Sequence, residues 1–179
     1  MIMILLARIE FLRKITSKQL LGFAFGILSC AWLGHLFNES FGIMLDVSEI
    51  RCLPETVYVG YPSDGAIQKG DLVSFVATPA NMAGLFVGSR IIKQVAAVPG
   101  DLVETQEDGL VLINGRPSGR RNEITLQKMQ KRGAQLVSFS GVVPAGHYFV
   151  MGTLPRSFDS RYWGLLEGRL IDKKAWGVV

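Results

Sequence analysis

The chain has 179 residues, 49% of them hydrophobic and 19% charged, with 19 Lys and Arg against 15 Asp and Glu for a formal charge of +4. That apolar content excludes a disordered chain, and the length allows one domain of ordinary size with a short appendage. In residues 1–18, Arg8, Arg13, Lys14 and Lys18 face the single acid Glu10, so +3 sits in the tail and +1 on the other 161 residues; nucleic acid is set aside as a partner.

Residues 1–18 read as a basic tail, and residues 19–38, QLLGFAFGILSCAWLGHLFN, follow with no formal charge. A helix of about 20 residues spans about 30 Å, the hydrocarbon thickness of a bilayer. No polar face recurs at helical spacing, which argues against the core helix of a soluble protein. Basic residues before the span and Glu39, Asp46 and Glu49 after it orient the helix with the tail cytoplasmic. The expectation is a single-pass signal anchor in the cytoplasmic (inner) membrane, with residues 39–179 on the outer, periplasmic face. A cleaved signal peptide fits less well, since the apolar stretch exceeds an h-region and no small-x-small site closes it. Ile27-Leu28-Ser29-Cys30 is faintly like a lipoprotein cleavage box, but the apolar run continues beyond it. Gly22, Gly26, Cys30 and Gly34 fall at intervals of four and form a small-residue stripe. The stripe suits the approach of another membrane helix, or simply reflects the frequency of Gly in membrane helices.

Beyond the anchor, short Val- and Ile-rich runs separated by Gly, Pro and Asn-Gly predict strands over 56–59, 71–76, 90–98, 102–104, 110–113, 136–139, 147–151 and 175–179. The fold class is therefore mainly β, a sheet or barrel behind one transmembrane helix. Asn114-Gly115 marks a tight turn, and Pro99-Gly100-Asp101 another. Only 123–133, EITLQKMQKRG, is predicted helical, as an insertion. The loop over 79–87 is apolar enough to lie against lipid, grip an apolar substrate or be buried. Two small basic clusters, Arg116, Arg120, Arg121 and Lys128, Lys131, Arg132, read as solvated loops.

Cys30 falls in the span and Cys52 well beyond it, so a disulfide is not expected. Two His and no paired ligands at metal spacing leave no metal site, and neither GxxxxGK[ST] nor GxGxxG occurs, so no cofactor is expected. His147, the one His outside the span, sits in a strand-like run and reads as a half-buried sheet residue rather than a triad member. In the strand over 90–98, Ile91, Lys93 and Val95 share a face. An amine desolvated there holds its proton less readily, which suits a general base; the alternative is a lysine whose head reaches the surface.

KQVAAVPGD at 93–101 resembles the KRxxGxPGD box of bacterial signal peptidase I, in which the Lys is the general base. GDLVSF at 70–75 is similar to its GDxVxF box, and VPAGHYFVMG at 143–152 to its VPxGxYFxMG lead-in. GTLPRSFDSRYWG at 152–164 resembles the GDNRxxSxDSRxWG box, one residue shorter and lacking the Asp-Asn-Arg start. The nucleophile box departs from the family. Where signal peptidase I has Ser-Met-x-Pro-Thr, this chain reads RCLPETVYV over 51–59. Aligned on Pro54 and Tyr58 to the shorter conjugative-transfer, TraF-like branch, the serine position is Cys52.

The resemblance implies a signal peptidase-like hydrolase, a protease with a Cys52/Lys93 catalytic dyad. Ser157 would hold the amine of Lys93, and Asp159 and Arg161 would order the last box. A thiol is competent here, being more readily ionised and more nucleophilic than a hydroxyl. The backbone N–H of Cys52 would meet the oxyanion, while the side-chain hydroxyl the family places two residues upstream is Ile50 here. Ser48 is a rival nucleophile, displaced by roughly 13 Å of extended chain. The implied partners are membrane lipid and a secreted precursor with small residues before the cut, in the conjugative branch a pilin or another transfer component. The alternative is a catalytically inactive, signal peptidase-like assembly factor of a secretion or conjugation apparatus.

Overall fold

The protein is described from a computed structural model that places residues 16–46, 51–63, 65–79 and 81–179, with the side chains of 38–40 outside the description. Residues 1–15, with most of the basic tail, and Ser48 and Ile50 lie outside it as well. The chain divides into two compact units, one ending at Ser40 and one from Phe41 to Val179.

In the first unit, helix α1 (Ser17–Ser40) extends the expected 19–38 by two residues at each end. Its stretch Ser17–Phe37 is long and apolar enough to cross a membrane. Leu20, Leu21, Phe23 and Phe25 all stand exposed. An apolar surface on every side of a helix is stable in lipid and costly in water. Gly22, Gly26 and Gly34 have open space where a Cβ would stand.

The second unit is mainly β, in two antiparallel sheets among the described residues. The larger has seven strands in the order β1-β2-β11-β3-β4-β9-β10. Its members are β1 (Gly42–Leu45), β2 (Val57–Pro62), β3 (Leu72–Val76), β4 (Arg90–Ala97), β9 (His147–Met151), β10 (Leu166–Glu167) and β11 (Ile171–Gly177). The smaller has the order β7-β6-β5-β8, from β5 (Leu102–Thr105), β6 (Leu110–Ile113), β7 (Arg116–Arg120) and β8 (Gly141–Val142). The strand orders run from edge to edge in open sheets, so of the two expected forms this is a sheet rather than a barrel. Alternation drives the burial: along β4, Lys93, Val95 and Ala97 are buried while Gln94 and Ala96 are not. Val73, Phe75, Val95 and Val150 of the large sheet pack with Phe158 and Trp163 into one core cluster.

The turn between β6 and β7 is Asn114-Gly115, with φ of 50° and 74°. Left-handed conformation at both central residues is what a two-residue hairpin needs, and Asn and Gly tolerate it. Helix α2 (Glu123–Lys131) is capped by Asn122, whose Oδ1 accepts from the Thr125 N–H at 3.2 Å. It buries Met129 and leaves Ile124 exposed. A short helix, α3 (Ser160–Trp163), follows the loop after β9.

Two expectations shift. No strand forms over 136–139, where Val137 makes one isolated parallel bridge to Trp163; its backbone partner there is the end of α3, which offers no extended ladder. The last strand ends at Gly177 rather than 179, and the Val179 carbonyl instead accepts from the Thr56 and Val57 N–H groups. The apolar loop over 79–87 is divided, with Asn81 and Met82 buried and Val87 exposed.

Candidate active site

Lys93 lies in mid-strand on β4, directly opposite Val73 of β3. Ile91 and Val95, the neighbours on its own face, both belong to or pack on the main core. The face-sharing read from the sequence therefore places the amine inside, and Lys93 is 1% exposed. Its Nζ donates to Ser157 Oγ at 3.3 Å. Among the described residues no carboxylate pairs with it. A buried cation without an opposite charge is costly to keep, so a single hydroxyl is a thin compensation.

Ser157 belongs to the loop between β9 and α3. Its N–H donates to the Leu154 carbonyl at 3.1 Å, closing a turn that aims the hydroxyl at the amine. The other end of the loop is fixed by Asp159, which is fully buried. Asp159 Oδ2 accepts from the Gly152 N–H at 2.9 Å and from Arg161 Nη2 at 2.7 Å, and Oδ1 accepts from Arg161 Nε at 2.8 Å. Arg161 also donates to the Arg120 carbonyl at 2.7 Å, tying the loop to β7. Burial pushes Arg161 down, but the hydrogen bonds and charge of Asp159 outweigh it, with lesser help from Tyr162 and Cys52. The guanidinium is held above its ordinary value. Asp159 and Arg161 thus form a buried, bidentate ion pair.

Cys52 stands in the loop before β2 and is half-buried. Several contacts fix that loop. Leu53 is 2% exposed, and Arg51 donates to the Pro54 carbonyl and to Thr56 Oγ1. Tyr58, fully buried, donates its hydroxyl to the Glu55 carbonyl at 2.8 Å. Burial, with the charge and hydrogen bond of Glu55, pushes the Tyr58 phenol well above its ordinary range, so it remains a donor. The Pro54 and Tyr58 that aligned the motif are thus parts of one turn.

The two loops meet at Gly152. The Cys52 carbonyl accepts from the Leu154 N–H at 3.2 Å. A Cβ on Gly152 would stand 2.2 Å from Ser157 Oγ and 2.4 Å from the Cys52 oxygen. Only glycine allows the Cys52 backbone and the Lys93-bound serine to close on the same point. Sequence reasoning did not single out Gly152 as a site residue; its place at the junction of two motif boxes was the available signal. Contacts therefore run from Lys93 through Ser157 to the backbone of Cys52. His147 is half-buried on β9, as its sequence context suggested.

Two cavities flank this junction, of about 380 Å³ and 460 Å³, and Gln94 and Thr153 line both. Among the described residues no group of three or more His, Cys, Asp or Glu is placed to hold a metal ion.

What the fold and these contacts define is a class: a mainly β protein in which a sequestered amine and a thiol-bearing loop are joined through one glycine turn. The chain belongs to the signal peptidase family, peptidase S26, whose profile matches residues 33–177. It is similar to a conjugal transfer protein TraF of Agrobacterium fabrum (strain C58), 34% identical over 113 residues, covering 55% of this chain and 61% of that protein. It is also similar to a signal peptidase I of Pseudomonas fluorescens, 29% identical over 147 residues, covering 69% of this chain and 46% of the relative. The match thus spans less than two thirds of either relative's length. A solved signal peptidase I from Enterococcus faecalis V583 is 27% identical, with 65% of this chain and 99% of that one covered at a TM-score of 0.37.

Proposed function

We propose that this chain is a membrane-anchored endopeptidase that cleaves a secreted precursor with Cys52 as nucleophile and Lys93 as general base. The observation that carries this reading is the amine of Lys93, 1% exposed and held by Ser157 at 3.3 Å, in a loop that also binds the Cys52 backbone. A fold that keeps an amine out of water with no carboxylate beside it has a use for that amine.

In the proposed reaction, Lys93 takes the thiol proton, and the Cys52 sulfur attacks the scissile carbonyl. The Cys52 N–H stabilises the oxyanion, and the Lys93 ammonium returns its proton to the leaving amine. Water then attacks the thioester, releasing the new carboxyl end and restoring the thiol. Ser157 keeps the amine in position throughout. The apolar helix would anchor the enzyme in the cytoplasmic membrane with its β domain on the outer face, where an extended precursor emerges. Similarity to a conjugal transfer protein supports a substrate in a transfer apparatus, a pilin precursor foremost.

The test is to express Cys52→Ala, Cys52→Ser and Lys93→Ala in cells and follow precursor processing. Both Ala variants are expected to accumulate unprocessed precursor, and Cys52→Ser to retain part of the activity. Normal processing in both Ala variants would overturn the enzyme and favour an assembly factor. In the purified chain, alkylation of Cys52 is expected to be fast, to depend on Lys93 and to fall at low pH.

A further inference from the structure

The 460 Å³ cavity lies where the segment 152–155 meets β7 and the residues after it. None of its lining side chains is acidic, and three are arginines, Arg120, Arg121 and Arg161. Two of these are matched: Arg120 pairs with Asp108 at 2.7 Å and Arg161 with Asp159 at 2.7 Å. Arg121 is not. Its Nε donates to the Arg161 carbonyl at 2.6 Å, and its guanidinium carbon lies 6.0 Å from the Tyr162 ring centre. Among the described residues no carboxylate pairs with it. Burial pushes Arg121 below its ordinary value, with only Tyr162 acting against that. The solvated basic cluster read from the sequence thus holds one arginine that is half-buried and uncompensated.

The smaller cavity has the opposite character. Glu55 and Asp71 line it, and no cation does. Asp71 is matched by Lys174 at 2.8 Å. Because the two cavities share Gln94 and Thr153, a chain lying across that boundary meets an acidic wall on one side and an unmatched guanidinium on the other. Gly152 and Leu154 both line the larger cavity; Leu154 donates to the Cys52 carbonyl, and a Cβ on Gly152 would stand 2.4 Å from the same oxygen. The guanidinium cavity is therefore within a few residues' reach of the atoms assigned to the chemistry.

We propose that Arg121 and this cavity form a specificity subsite for a carboxylate of the peptide substrate, either an acidic side chain or a free C-terminus near the cleaved bond. The proposal rests on the peptidase reading. The planar fork of a guanidinium binds a carboxylate through paired hydrogen bonds, and a partly dehydrated wall strengthens them. The Nε–H is already used by the Arg161 carbonyl, which holds the group in place and leaves its terminal nitrogens for the ligand.

The test uses the full chain in detergent micelles and labelled alanine-rich peptides. These carry Glu or Gln at one of the positions on either side of a central Ala-Ala bond, with the C-terminus free or amidated. Binding is read by fluorescence anisotropy on a Cys52→Ala background, and cleavage by mass spectrometry on the unmodified chain. At one position, or for the free C-terminus, the carboxylate peptide is expected to bind about tenfold tighter than its neutral counterpart, the size of one charge-assisted hydrogen bond. That ratio should approach one in Arg121→Gln, fall part of the way in Arg121→Lys, which keeps the charge but loses the planar fork, and narrow with added salt. The salt response needs no substitution at Arg121, so it stands even if Arg121→Gln misfolds. Equal binding of all pairs, no measurable binding of any peptide, or a preference that survives in folded Arg121→Gln would overturn the proposal. Cleavage without preference sinks this subsite alone, whereas preference without cleavage sinks the peptidase reading alone.

Discussion

Two basic side chains are buried on either side of the same loop, and the fold treats them differently. Arg161 is 4% exposed and bound by both oxygens of Asp159 and by the Arg120 carbonyl. Lys93 is 1% exposed and receives one hydroxyl. The first arrangement compensates desolvation with an opposite charge and planar hydrogen bonds, as a scaffold must. The second leaves desolvation largely uncompensated, which is poor architecture for stability and suitable for a group that must exchange a proton. The difference separates the residues that hold the loop from the residue the loop holds.

The largest effect is expected on the scaffold side. Asp159→Ala strands a guanidinium in the interior and frees the Gly152 N–H, and removing one partner of a buried pair costs about 3–5 kcal/mol. Urea unfolding of the solubilised chain would measure it. A loss below about 1 kcal/mol would show that water or a neighbour replaces the carboxylate, and the contrast with Lys93 would collapse.

Lys93→Met is expected to behave in the opposite way. Exchanging a poorly compensated buried ion for an apolar side chain of similar length is often neutral or stabilising, so unfolding should shift by about 1 kcal/mol or less in either direction. Precursor processing should fall by about 10²–10⁴, the usual contribution of a positioned acid-base group. A loss of stability rivalling that of Asp159→Ala would make Lys93 a second scaffold cation.

Gly152→Ala tests the joint between the two regions, because its N–H serves Asp159 while its Cα faces Ser157 and Cys52. Overpacking of this kind costs about 1–3 kcal/mol. Both stability and processing should suffer, separating this variant from Lys93→Met. Retained processing with an unchanged unfolding midpoint would mean that the two loops can part without consequence.

Why some of this was legible in the sequence, and some was not, follows from where each signal resides. The alternation of Ile91, Lys93 and Val95 is local, so burial of the amine could be read from one strand. Asn114-Gly115 likewise carries its own backbone preference. By contrast, β7 reads RPSGR, a polar segment with a proline, and becomes a strand through its hairpin partner rather than through propensity. The strands β8 and β10 have two residues each, too few for any periodic pattern. The expected strand at 136–139 failed for the complementary reason: its apolar residues suit a sheet, but no strand is there to pair with it. Within the site, the motif boxes located Cys52, Lys93 and Ser157, whereas the steric role of Gly152 and the isolation of Arg121 depend on contacts between segments distant in sequence.

The smallest effect on unfolding expected of the loop variants belongs to Ser157, and it sharpens the comparison most finely. Ser157→Ala removes the hydroxyl that holds the Lys93 amine while leaving Asp159, Arg161 and Gly152 in place. A hydrogen bond to a charged group contributes about 1.5–3 kcal/mol. If Ser157 positions the amine, processing should fall by about ten- to a hundredfold, and its pH profile should shift as the amine loses a partner. Ser157→Thr, which keeps the hydroxyl, should recover part of the rate if the pocket admits the extra methyl, whereas Ser157→Ala should not. If Ser157 merely fills space, Ala would lower stability slightly and leave the pH profile of processing unmoved. A shifted profile with nearly native unfolding would therefore place Ser157 with Lys93 rather than with the Arg161 scaffold, although all three lie on one loop or against it.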